Sequence, residues 1–252
     1  MSAPGFLHSV LTQPLQPSQC ARRPWVTLTY AQSLDARIAG AGGKQLILSG
    51  KESMLMTHWM RTMHDGILVG IGTALNDNPQ LNTRHVPNNT SLPAPRPIIL
   101  DPYLRLPPTC KLLTNYAART GRRPWIFCSP SAPPAQRTLL EKAGAVLFDI
   151  PTVLNGNGLD IQAMLDVLHE KGIKSLMVEG GQRVISSFYA ARDTEGRPIV
   201  DALIVTVAPT LVGAAGVGVA LDGAEKTLTL KHLRTEIMGK DTVVACQVVA
   251  DA

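Results

Sequence analysis

Two glycines flanking one residue, a threonine beside the second and an aspartate four positions on form the first group able to do chemistry. They stand in Gly70-Ile71-Gly72-Thr73-Ala74-Leu75-Asn76-Asp77-Asn78-Pro79-Gln80-Leu81, at the end of the apolar run Gly66-Ile67-Leu68-Val69. A short apolar run that breaks at close-set glycines into a polar, proline-bearing loop reads as a buried strand handing its C-terminal end to a ligand. The pattern is that of a nucleotide site, yet it fits neither common fingerprint. A dinucleotide motif wants a small residue where Leu75 stands, and a phosphate-binding Walker loop wants Gly-Lys-Ser/Thr, a triplet the chain lacks.

The second group is Val178-Glu179-Gly180-Gly181-Gln182-Arg183-Val184. Two glycines between a strand and a helix let backbone approach a ligand, and the helix start then offers free N–H groups and a positive dipole end to a phosphate. Tight strand–helix packing explains the same pair almost as well. Arg183 sits where the dipole disfavours a cation, so a phosphate partner would account for it. Glu179, at a strand end, needs a partner or a ligand. Asp35, after Ala31-Gln32-Ser33-Leu34, reads as a turn residue that caps a neighbour. Arg61 and Arg84 are cations that a solvated surface would also explain. The six histidines include no HxxxH or HExxH pair, so the sequence offers no metal site. The glycines of 213–218 read either as a lid or as plain flexibility.

These residues need a sheet to hold them. Strands are expected at Trp25–Tyr30, Gly66–Gly70, Pro97–Asp101, Pro124–Cys128, Ala145–Ile150, Lys174–Glu179, Asp201–Ala208 and Thr242–Val249. Helices are expected at Ser49–His64, with Ser49 as a possible cap, at Pro134–Ala143, at Asp160–Lys171 and from Gly181 through Ala191. Alternating strands and helices with two closing strands give an α/β class, a largely parallel sheet with antiparallel strands late. The 252 residues suffice for one large domain; 45% hydrophobic and 17% charged composition fits a globular protein, with no apolar run of membrane-span length. A net charge of +5 suits anionic, phosphate-bearing ligands, while 4% aromatics and scattered basic residues argue against nucleic acid. Cys20, Cys110, Cys128 and Cys246 form no CxxC motif, and a reducing compartment follows most simply. Residues 1–23, rich in Pro, Ser and Gln, read as a flexible N-terminal arm ahead of a domain over 24–252.

Taken in order, Thr27-Leu28-Thr29-Tyr30-Ala31-Gln32-Ser33-Leu34-Asp35, Arg61 with Asp65-Gly66-Ile67-Leu68-Val69-Gly70, Gly72-Thr73 with Asp77-Asn78-Pro79-Gln80-Leu81 and Arg84, and Val178-Glu179-Gly180-Gly181 resemble the reductases of riboflavin biosynthesis. That is the family of the C-terminal domain of the bacterial bifunctional deaminase–reductase, and the stand-alone fungal members are especially similar. The resemblance covers Pro24 to the C-terminus. It implies a dihydrofolate-reductase-like single domain with helices on both faces of the sheet, NADPH as hydride donor, a homodimer and a cytoplasmic location. It implies reduction of the ribosyl side chain of 2,5-diamino-6-ribosylamino-4(3H)-pyrimidinone 5′-phosphate to the ribitylamino product. Cofactor contacts carry over to Thr73, Asp77, Gly180, Gly181, Gln182 and Arg183, and substrate contacts to Arg61, Leu81, Arg84 and Glu179. Arg61 and Arg84 are then the candidates for the 5′-phosphate. No proton donor is assigned. Bacterial relatives carry a Ser-x-Trp where this chain has Lys44-Gln45-Leu46, so contacts from that loop are not transferred. The alternatives are a related NADPH reductase acting on a pterin or folate, and a silent nucleotide-binding or oligomerisation module.

Overall fold

The computed structural model describes residues 3–11, 23–87, 92–153, 158–219 and 228–249. In chain order the elements are α1 (Gly5–Leu11), β1 (Trp25–Ser33), β2 (Arg37–Ala39), α2 (Lys51–Thr62), β3 (Gly66–Gly70), α3 (Ile71–Asp77), β4 (Arg96–Leu100), α4 (Lys111–Ala117), β5 (Trp125–Cys128), α5 (Pro134–Lys142), β6 (Val146–Asp149), α6 (Ile161–Glu170), β7 (Ser175–Glu179), α7 (Gln182–Ala190), β8 (Ala202–Ala208), β9 (Val217–Gly218), β10 (Thr229–Met238) and β11 (Asp241–Val249).

One nine-stranded sheet runs β10-β11-β8-β1-β7-β3-β4-β5-β6. The strands from β8 to β6 run parallel to one another, and β11 pairs antiparallel with both β8 and β10. Burial on both faces explains why the central strands are continuously apolar: all five residues of β3 are buried. Helices cover both faces. Successive residues of a strand point to opposite sides, so Leu28, Leu68, Ile98 and Val178 pack with α6 and α7. Ile67, Val69 and Ile99 pack on the opposite face with residues of α3, α4 and α5. On that same side Met177, Ile204 and Val243 pack with α1 and α2.

Besides α4, β2 and β9, which the sequence reading did not expect, three features differ from the sequence expectation. Ile71–Asp77, read as a loop, is a short helix; Ile71 and Ala74 bury one face, and Asn78 ends it at φ 41°. The start of the arm is also ordered: α1 buries Phe6, Leu7 and Val10 against Trp59 and Met60 of α2. That seven-residue amphipathic segment is too short to stand out from its Pro- and Gln-rich surroundings, and tertiary packing supplies its stability. The third is β10, an exposed edge strand whose alternation is lost because little of it is buried. Ser49 does not cap α2. Gly50 is the N-cap residue and has no side-chain cap bond; the buried Asp241 anchors this helix start from outside, its Oδ2 accepting from the Gly50 N–H at 2.6 Å and from the Ser53 hydroxyl at 2.5 Å. Cys110 and Cys128 are buried and free, as is the half-buried Cys246, while Cys20 lies outside the described residues. Among the described residues no helix is long and apolar enough to cross a membrane, and no cluster of His, Cys, Asp and Glu could hold a metal.

Candidate active site

A cavity of about 950 Å³ opens along the C-terminal ends of five adjacent strands, with Thr206 of β8, Thr29 of β1, Glu179 of β7, Gly70 of β3 and Leu100 of β4 in its wall. Crevices at this edge of a parallel sheet are where such folds place ligands. At its middle, neighbouring strands β7 and β3 each turn directly into a helix. Those helices leave toward opposite faces of the sheet, yet their first turns meet: a Cβ built on Gly181 would lie 3.2 Å from the Thr73 hydroxyl. Val184 fills the junction. It would stand 2.5 Å from a Cβ on Gly70 and 2.8 Å from one on Gly180, so both glycines are there for packing. Gly72 differs. It lies in the wall, has no positive φ, and a Cβ there would meet nothing within 4 Å. No protein atom requires a glycine at 72. Neither helix carries a side-chain N-cap, so the first N–H groups of the nine-residue α7 remain free for an anion. Asp77 ends α3 in the same wall, its pKa raised by burial.

Beside this junction lies a second polar group, between β7 and α2. Arg61 grips Glu179 with a two-pronged ion pair, Nε donating to Oε1 at 2.9 Å and Nη2 to Oε2 at 2.8 Å; its Nη1 donates to the Asn82 carbonyl at 3.0 Å. Both side chains are largely buried, 12% and 21% exposed. Arg84 is exposed and donates to Asn82 Oδ1 at 3.2 Å. Its pKa is lowered by partial burial and by Arg61, and Glu179 opposes the shift. His58 and His85 pack edge to face nearby, 4.5 Å between centroids. Burial, with Arg61, His85 and Arg84, holds His58 at about 3, so it is neutral. This is a concentration of positive charge next to the carboxylate of Glu179.

With fold and site in view, known proteins can be set beside them. The RibD C-terminal domain matches residues 24–244. The chain belongs to the RibD C-terminal domain family. Its relatives include the 2,5-diamino-6-ribosylamino-4(3H)-pyrimidinone 5′-phosphate reductase of Debaryomyces hansenii, 37% identical over 230 residues, which cover 90% of this chain and 89% of that one. The reductase of the same name from Methanothermobacter thermautotrophicus is 32% identical over 229 residues, 88% of this chain and 97% of that one. The solved riboflavin biosynthesis reductase of Saccharomyces cerevisiae superposes with a TM-score of 0.74 at 30% identity, over 98% of this chain and 99% of its own.

The residues that likeness to the RibD family singled out do not all fall in one place. Thr73, Asp77, Gly180, Gly181, Gln182 and Arg183 all line the cavity, and so does Glu179. Arg61 and Arg84 do not line it: Arg61 pairs with Glu179, and the exposed Arg84 bonds Asn82, whose carbonyl Arg61 also holds. Leu81 does not join them. It is 2% exposed, with its side chain in the core and its backbone at φ 47°. Asp35 behaves as the turn residue the sequence suggested. It accepts from the Ser33 hydroxyl at 2.5 Å and from the N–H groups of Val212 and Gly213 at 3.0 and 2.7 Å. Those bonds hold its pKa at about 2. They also tie down the glycine-rich 213–218 segment, whose β9 pairs with β2 and brings Val217 to the cavity. Sequence reasoning did not single out His58 and His85, which lie beside Arg61 and Arg84. His58 had one visible signal, its place three residues before Arg61 on the same helix.

Proposed function

We propose that the chain reduces 2,5-diamino-6-ribosylamino-4(3H)-pyrimidinone 5′-phosphate to its ribitylamino counterpart, with NADPH as reductant. Its fungal and archaeal relatives are named for reducing that substrate. The observation that carries the reading is the single cavity in which the uncapped first turn of α7, Thr73 and Asp77 adjoin the carboxylate of Glu179. When bound, the nicotinamide supplies the hydride that turns the opened Schiff base of the ribosylamine, C=N, into CH–NH with the uptake of one proton.

The chain's own residues then bind and orient. The free N–H groups of α7 and the Thr73 hydroxyl donate to the cofactor's diphosphate, and Gly72 lets it approach the backbone. Asp77 accepts from ribose hydroxyls. Glu179, fixed by Arg61, keeps lone pairs for hydroxyl or amino groups of the substrate. Arg84 is the candidate for the 5′-phosphate. Arg61 spends three of its five N–H donors on Glu179 and Asn82, so we assign it first to positioning Glu179. Asp35, ionised and acceptor-only, is not the proton donor. Orienting both reactants and excluding water is the larger part of the protein's task here.

The test is loss of the NADPH absorbance band when purified protein meets the ribosylamino substrate. Stoichiometric loss is expected, and a flat trace from folded protein overturns the reading. The reading includes a homodimer, for which the exposed edge strand β10, with Ile237 78% exposed, offers apolar surface. Sedimentation at the mass of one chain would refute that part.

A further inference from the structure

The cavity carries two carboxylates, Asp77 and Glu179, and two cations, Arg183 and Arg105. Arg183 stands in the first turn of α7, beside the end of β7, the middle of the five strand ends. Arg105 stands at one extreme, past the end of β4, two strand spacings or about 10 Å from β7. The opposite extreme, at β1 and β8, presents Thr29, Tyr30 and Thr206 and no charged strand residue.

The turn that carries Arg105 is built firmly. Asp101, fully buried at the end of β4, accepts from the Leu106 N–H at 2.8 Å, and its own carbonyl accepts from the Leu104 N–H at 3.2 Å. Leu104 sits at φ 55°, and Leu104 and Leu106 are each 1% exposed in the core. Pinning 104 and 106 inward turns 103 and 105 outward. Tyr103 is 55% exposed and lines the cavity. The Arg105 side chain has no hydrogen-bond or ion-pair partner among the described residues. A free guanidinium and an exposed aromatic on one rigid turn suit a nucleoside bearing a phosphate, the ring by stacking and the phosphate by a forked charge-assisted pair.

We infer that Arg105 reads the 2′-phosphate on the adenosine ribose of the cofactor, with Tyr103 as the platform for the adenine, and so sets the preference for NADPH over NADH. The inference rests on the cofactor reading above. With the diphosphate at the α7 first turn, the adenosine must extend toward one extreme of the strand row, and only the β4 extreme offers a cation. Arg183 is then left for the diphosphate.

The test compares 2′,5′-ADP with 5′-AMP by calorimetric titration, and NADPH with NADH by quenching of protein fluorescence. The wild-type protein should prefer the 2′-phosphorylated member of each pair. Arg105→Ala should cut that preference about 10- to 100-fold, the worth of a charge-assisted pair, and leave 5′-AMP and NADH binding unchanged. Arg105→Lys should keep part of it, and Arg183→Ala should weaken all four ligands alike. An unchanged preference in Arg105→Ala, or its loss in Arg183→Ala alone, overturns the inference and leaves the cofactor reading standing. Failure of the wild-type protein to bind any of the four overturns both.

Discussion

The two polar regions around the cavity use their groups in opposite ways. At the junction of α3 and α7 the donors are backbone N–H groups and one hydroxyl with no protein partner, framed by glycines. At the junction of α2 and β7 the charges have already found each other: Arg61 satisfies both oxygens of Glu179 and an Asn82 carbonyl as well. On the function proposed above, the first region receives an anion that arrives later. The second is a paired structure whose remaining capacity lies in the spare lone pairs of Glu179, in the two unused N–H groups of Arg61 and in Arg84. A site that must order two reactants gains from this division, since one reactant is held by a rigid backbone cradle and the other by a carboxylate that cannot swing.

Breaking the second region should have the larger effect on stability. Arg61→Ala leaves Glu179 mostly buried and unpaired, and loss of one partner from a buried pair costs about 3–5 kcal/mol; partial exposure puts the expectation at the lower end. Urea unfolding measures it. Glu179→Ala made on top of Arg61→Ala should then cost much less than Glu179→Ala alone, a coupling that a double-mutant cycle reads directly. Additive costs would mean that the pair does not hold Glu179, and the positioning role given to Arg61 would fail.

The first region separates two kinds of glycine. Gly180→Ala brings a Cβ to 2.8 Å from Val184, so it should destabilise by about 1–3 kcal/mol through overpacking. Val184→Ala should restore only part of that, because the atom at 2.8 Å is the Val184 Cβ, which alanine keeps. Gly72→Ala meets no atom, and in a helix it should be neutral or stabilising by up to about 1 kcal/mol. Its effect should fall on the cofactor, with NADPH affinity down by about tenfold, the loss of one net hydrogen bond. If Gly72→Ala binds NADPH as well as the unaltered protein does, the backbone of α3 is not part of the cradle.

How much of this was legible depends on where each partner lies in the chain. The cradle was legible because its signals are local: an apolar run, then close glycines, then Thr73 and Asp77, and likewise Glu179-Gly180-Gly181-Gln182-Arg183. That β7 lies beside β3, which brings the two ends together, came from the structure and not from the local signals. What was not legible came from far away in sequence. Arg61 is 118 positions from Glu179, and its guanidinium could as well have been on a solvated face or on a phosphate. Asp241 anchors the start of α2 from 191 positions beyond Gly50. Helix α3 was hidden because its seven residues are followed by an Asn-Pro turn whose chemistry dominates the local reading. Leu81 had the right neighbours for a ligand contact, but its apolar side chain gains more from the core.

The smallest expected effect is one of pH, and its sign should differ between the two regions. Folding holds His58, beside Arg61 and Arg84, at about 3, below the ordinary histidine value of 6.5. Burial lowers His64 too, whose neutral ring bonds to the Met60 carbonyl at 2.8 Å and the Thr27 hydroxyl at 2.9 Å. Between pH 3 and 6.5 the unfolded chain binds a proton that native His58 refuses, so this group's contribution is full above about pH 6.5 and is lost as pH falls. Asp77 works the other way. Burial raises its pKa, so the native state takes up a proton more readily than the unfolded chain does, and its contribution weakens as pH rises. Urea midpoints measured from pH 4 to 7.5 should therefore climb less steeply in His58→Gln and more steeply in Asp77→Asn than in the unaltered protein. Burial disfavours the charged form of both groups, and the signs oppose because the imidazole is charged when protonated and the carboxyl when deprotonated; a shift of both slopes in the same direction would show that burial does not govern one of the two.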